Sequence, residues 1–148
     1  MANVIDAARY ILSKTGETTS MKLQKLVYYA QAWSLAWDDK PLFNEDFQAW
    51  ANGPVCPELF RKHKGHFSLA DDFFDAYTVG SLTELQTDTI DVVLKDYAGM
   101  APHELSDLTH RERPWIEARG NTSPGMPCET IIDKEVMRDY YAGLIPTA

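Results

Sequence analysis

The sequence predicts a mainly α fold: six or seven helices gathered round one buried central helix, with one short β hairpin near residues 42–56. Three observations predict it. Apolar residues recur at spacings of three and four in several windows. The stretch from residue 20 to residue 37 is apolar on nearly every side of a helix. Pro, Gly and hydroxyl residues stand where these windows begin and end. A chain of 148 residues suits one domain over 1–148 and can bury a sizeable core.

A first helix is expected over residues 3–14. Val4, Ile5, Ala8, Ile11 and Leu12 lie at helical spacing, Asn3 is a fitting N-cap, and Gly16 lies just past the end. The second starts after Thr19-Ser20, one of whose hydroxyls caps it, and runs to Trp37. Leu23, Leu26, Val27, Tyr29, Ala30, Trp33, Leu35 and Trp37 cover most of its sides, which makes it the central helix. Asp38-Asp39-Lys40-Pro41 ends it.

Residues 42–50 carry Phe43, Phe47 and Trp50, either on a short helix or on an extended piece at 47–50, and Asn52-Gly53-Pro54 is a turn. Pro57 suits the first position of a helix that stops at Gly65. Arg61, Lys62 and Lys64 sit near its C-terminal end, where the helix dipole favours positive charge. Residues 66–80 read as a loop bearing Phe73, Phe74 and Tyr77. Ser81-Leu82-Thr83-Glu84 reads as a capping box opening a helix to Tyr97. Leu82, Leu85, Thr89, Ile90, Val93, Leu94 and Tyr97 are expected to face inward, with Glu84, Asp88 and Asp91 on the opposite face. Short helices follow at 102–108 and 114–120, then a loop at 121–127. A last helix has Asp133 as N-cap and Gly143 as stop.

The net charge is −8 and unevenly spread. Residues 1–67 hold 8 Lys/Arg against 7 Asp/Glu, and residues 68–148 hold 6 against 15. Such acidity makes a poor general nucleic-acid binder, because attraction to phosphate supplies most of that affinity. It suits a basic protein partner, and it also serves plain solubility. The longest apolar stretch, 26–37, is broken by Gln31 and Ser34 and is too short for a bilayer. The N-terminus lacks signal-peptide features, and two cysteines are too few for a disulfide framework. A cytoplasmic protein with no membrane partner is the expectation.

Catalytic and cofactor chemistry find little support, and no cofactor, metal or catalytic residue is expected. Cys56 pairs with no specified base, and a small apolar filler is the better reading of it. His63 and His66 have His-x-x-His spacing, but Gly65 intervenes, and an incidental surface pair is the simpler account. Phosphate-cradling glycine motifs are missing. Asp71-Asp72-Phe73-Phe74-Asp75 lacks the ligand alternation of a calcium loop. A small hydrolase or metal enzyme would need Cys56 and His110, or the four histidines, to converge. A DNA-binding autorepressor acting on its own promoter would have to rely on Lys22, Lys25, Arg61, Lys62 and Lys64, the one basic region.

Aromatic residues say more. Tyr28, Tyr29, Trp33, Trp37, Phe43, Phe47 and Trp50 crowd into 23 residues. Most belong in a core, but seven large rings exceed what one small core hides, and exposed Trp and Tyr favour protein interfaces.

Three pieces in order carry a resemblance. The first is Met21-Lys22-Leu23-Gln24-Lys25-Leu26-Val27-Tyr28-Tyr29-Ala30-Gln31-Ala32-Trp33. The second is Pro41-Leu42-Phe43, followed by Ala49-Trp50-Ala51-Asn52-Gly53-Pro54-Val55 and Pro57-Glu58-Leu59. The third is Leu105-Ser106-Asp107-Leu108-Thr109-His110, followed by Pro114-Trp115 and Ala118-Arg119. Together they resemble the Panacea domain, the SocA-like antitoxin family also found in phage-associated proteins, over roughly residues 4–142. One departure is Ala51, where the family often carries a basic or aromatic residue. The resemblance implies a helical domain that neutralises a toxin encoded by an adjacent gene through direct protein contact. Family members pair with unrelated toxins, so the domain does not name its toxin. Toxins acting on RNA or nucleotides are often basic near their active sites, which an acidic face would suit. The residues expected to touch a partner are Tyr28, Trp33, Trp50, Glu84, Asp88, Asp91 and His110. For Gly53, Pro54, Trp115 and His110 a structural role is weighed ahead of a contact role.

Overall fold

A computed structural model describes residues 2–77 and 80–144. In chain order it contains α1 (Val4–Thr15), β1 (Thr18–Thr19), α2 (Ser20–Asp38), β2 (Gln48–Trp50), β3 (Gly53–Val55), α3 (Pro57–His63) and β4 (Ser68–Leu69). α4 (Glu84–Tyr97), α5 (Pro102–His110), α6 (Arg113–Arg119) and α7 (Lys134–Ala142) follow. The mainly α architecture and the central second helix are as the apolar spacing predicts.

α1 begins where Asn3 and Asp6 cap each other: the Asp6 amide donates to Asn3 Oδ1 at 3.0 Å, and the Asn3 amide to Asp6 Oδ2 at 2.9 Å. α2 is capped by Thr19, whose Oγ1 accepts from the Lys22 amide, and it ends at Asp39 in the left-handed region, φ 55°. α1, α4, α5 and α7 pack around α2. Its apolar residues form the middle of a core that also takes Ile11, Leu12, Phe43, Phe47, Ile90, Met137 and Tyr141. Burying each large side chain of this kind stabilises by about 1.5–3 kcal/mol.

Four buried polar residues of α2 explain how irregular chain can wrap a helix that apolar neighbours enclose. Gln31 accepts from the Leu42 amide at 2.7 Å and donates to Phe43 O at 2.9 Å. Gln24 accepts from the Cys56 amide at 2.9 Å and donates to Cys56 O at 3.3 Å. Ser34 donates to Lys40 O, and Lys25 to Pro54 O. Each side chain stands in for a missing strand neighbour. A buried peptide group left unpaired would cost about 1–3 kcal/mol.

The expected hairpin is β2–β3, with Gln48 opposite Val55 and Trp50 opposite Gly53. Gly53 has φ 118°, a conformation reserved for glycine, and a Cβ there would lie 2.5 Å from Lys25 Cε. A third, strand-like segment runs along β2: the Ala49 amide donates to Thr130 O, and the Ile132 amide to Phe47 O.

Three local expectations need correction. The loop expected at 66–80 contains β4, which pairs with β1 through two residues; residues 78 and 79 of that loop lie outside the described residues. The capping box of α4 is Thr83 with Gln86, two residues later than Ser81 with Glu84. Leu85 points outward, 58% exposed. The inward arc is set by Ile90, Val93, Leu94 and Tyr97, and continuing it back by one turn reaches Gln86 rather than Leu85.

Candidate partner-binding surface

Residues of the second and third sequence pieces converge on the hairpin. Its carbonyl oxygens are gripped one after another by side chains from other elements. Arg119 Nη1 donates to Ala49 O at 3.0 Å and Trp115 Nε1 to Trp50 O at 2.9 Å. His110 Nε2 lies 2.8 Å from Ala51 O, and Ser106 Oγ donates to Asn52 O at 2.6 Å. Lys25 Nζ closes the series on Pro54 O at 3.2 Å. The His110 ring packs on Trp115 with centroids 4.0 Å apart, and its Nδ1 lies 2.5 Å from Ser106 O. Both of its nitrogens therefore face carbonyl oxygens.

Arg119 is buried and also donates to Ser123 O and Met126 O, so it ties the 120–127 loop to the same hairpin. A groove of about 350 Å³ opens between Met21, the Trp50–Asn52 tip and Gly125–Glu129. A phenol cluster is buried in the core. Buried Glu112 accepts from Tyr29 Oη at 2.6 Å and Tyr141 Oη at 2.8 Å, and Tyr141 in turn meets Tyr28 Oη at 3.2 Å. Burial pushes the Glu112 carboxyl up, against the opposing pull of the two phenols.

A family model for the antitoxin SocA-like, Panacea domain matches residues 23–116. The chain belongs to this family. The match takes in nearly all of the first two sequence pieces and the third as far as Trp115, and it spans most of α2, the hairpin, α3, α4, α5 and the start of α6 of this Panacea domain. No curated protein and no solved structure was found to match the chain.

The residues expected at a partner surface fall in four places. Tyr28 is 1% exposed and lies in the core, where its ring meets Phe47 and Tyr141; it offers a partner no surface in this fold. Trp50 and His110 come together at the hairpin, both half-buried. Glu84 and Asp88 are exposed on α4, whereas Asp91 is half-buried and accepts from Tyr10 Oη of α1 at 2.7 Å. Trp33 is half-buried, donates from Nε1 to Tyr97 Oη and packs on Trp37, which is 41% exposed. Trp37, Leu85 and Val92 are surface apolar residues that pattern reasoning did not assign to a partner. Trp37 sits where α2 ends, and Leu85 lies in the first turn of α4, off its inward arc.

His63 is not a surface histidine. It is buried, and its Nε2 accepts from the Gln24 amide at 3.0 Å, while burial pushes its imidazole down toward the neutral form. Cys56 is buried beside Glu58, and burial pushes its thiol up to about 12, far from the thiolate a nucleophile needs. Of the basic region, Lys25 is fully buried and Lys22 Nζ donates to Ala98 O, leaving Arg61, Lys62 and Lys64 exposed. Among the described residues, no group of three or more His, Cys, Asp or Glu is placed to hold a metal ion, and no helix is long and apolar enough to cross a membrane.

Proposed function

We propose that this Panacea domain is the antitoxin of a toxin–antitoxin pair, neutralising a toxin encoded by the adjacent gene through direct protein–protein contact. Membership of the SocA-like antitoxin family over residues 23–116 carries the reading. The acidic balance of the C-terminal half supports it, since complementary potentials speed and orient association with a basic partner.

Within this reading the candidate residues act differently. Glu84 and Asp88 meet the toxin through exposed carboxylates. Asp91 supports them from the flank through Tyr10. Trp50 and His110 hold the hairpin in shape, and Trp33 backs the exposed Trp37 ring.

Co-expression with the adjacent gene tests the proposal. The neighbour alone should arrest growth, the pair should restore it, and the two proteins should co-purify. A neighbour that is harmless alone, or toxic despite soluble expression of this chain, rejects it.

A further inference from the structure

We propose that the outer face of α4 is the docking site for a basic, amphipathic segment of the toxin; the inference rests on the antitoxin reading above. α4 packs on α2 and α1 through Thr89, Ile90 and Val93, and its far side carries Glu84, Leu85, Asp88, Val92, Lys95 and Asp96, all exposed. That far side is not simply polar. Leu85 is 58% exposed and Val92 44% exposed. They are seven residues apart, so they stand one above the other, about 10 Å along the axis. Thr89 Oγ1, on the inner flank of this face, donates to Asp38 Oδ2 at 2.7 Å and fixes α4 against the end of α2. Single exposed apolar residues are ordinary; an aligned pair on one helix face is a stripe that burial would favour.

Charge decides what covers it. Asp88 lies between Leu85 and Val92, with Glu84 at one end and Lys95 and Asp96 at the other. Residues 68–96 hold seven Asp/Glu against one Lys. A second copy of the chain would bring like charges together, which costs free energy at an interface. A segment with an apolar stripe and flanking Lys or Arg satisfies both features of the face, laying its stripe on Leu85 and Val92 and its cations against Glu84, Asp88 and Asp96.

The test uses the whole chain and the co-expressed neighbour, with affinity, growth rescue and sedimentation as readouts. Glu84→Lys/Asp88→Lys and Leu85→Ser/Val92→Ser alter exposed residues, and Asp107→Lys on α5 is a charge control away from α4. The two α4 variants should keep their circular dichroism, weaken toxin binding by about tenfold or more, and lose rescue. Asp107→Lys should match the wild type. Wild-type binding should weaken with added salt. If the wild type rescues and the folded α4 variants bind within twofold of it, the docking site is elsewhere and the antitoxin reading survives. If Leu85→Ser/Val92→Ser instead converts a dimer to a monomer, a second copy occupies the face and the inference is overturned. If the wild type neither binds nor rescues, the antitoxin reading falls, and this inference with it.

Discussion

Lys25 Nζ donates to Pro54 O at 3.2 Å from a position closed to solvent, and its Cε lies where a side chain on Gly53 would have to go. One lysine thus fixes both the carbonyl and the curvature of the hairpin, and it does so as a buried amine with no carboxylate bonded to it among the described residues.

Burial pushes the Lys25 amine from 10.5 down to about 7. Between those values the unfolded chain binds a proton that the folded chain does not, so stability rises with pH across that window. The full desolvation penalty is present below about pH 7 and is relieved toward 10.5. Lys25→Met removes the titration. Its urea midpoint should exceed that of the wild type at pH 6, and the advantage should shrink steadily to pH 10. A parallel pair of pH curves would show that Lys25 holds its proton equally in the folded and unfolded chains, so that burial does not shift it.

Glu112 has the opposite sign. Its folded carboxyl lies above the ordinary 4.5, so its contribution is complete below about pH 4.5 and is lost as pH rises through the folded value. Glu112→Gln keeps an oxygen for the two phenols and removes the charge. It should fold and gain on the wild type at neutral pH. Glu112→Ala leaves Tyr29 and Tyr141 without their acceptor and should cost about 2–4 kcal/mol in chemical denaturation. Equal losses for Gln and Ala would mean that the carboxylate itself is required.

Gly53→Ala should cost about 2–3 kcal/mol. The new Cβ would meet Lys25 Cε at 2.5 Å and Thr109 Oγ1 at 2.9 Å, on a backbone at φ 118°. If steric conflict with the lysine is the main cause, Gly53→Ala combined with Lys25→Ala recovers part of the loss in a double-mutant cycle.

Arg119→Met should loosen the hairpin and the 120–127 loop together, because Ala49 O, Ser123 O and Met126 O all lose a donor. The expected cost is about 2–4 kcal/mol. Hydrogen exchange should speed up at β2 and at 120–127 before it does in α2. Unchanged protection at β2 would show that the hairpin does not depend on this grip.

Much of the fold was legible because it rests on local signals. Asn3, Thr19 and Asp133 cap, Pro57 and Pro102 open helices, and the apolar sweep of α2 marks it as central. The misses arise where distant chain decides. β1 and β4 are two residues each and have no period to read. Ser81 with Glu84 and Thr83 with Gln86 both have capping-box spacing, and α4 uses the later pair. Lys25, His63 and Tyr28 are of types that often reach the surface, and only the hairpin, Gln24 and Tyr141 explain why these three do not. Of the candidate surface, the acid positions of α4 could be read from spacing. The apolar pair among them could not, since Leu85 lies one turn outside an arc that only packing defines.

The grip on the hairpin acts on main-chain oxygens from Ala49 to Asn52 and again at Pro54. Every residue type supplies the same oxygen. Exchanging the side chains of Ala51 and Asn52 therefore leaves their anchors in place, so the tip can be recoded without rebuilding its support, and new recognition chemistry can be tried there at little risk to folding.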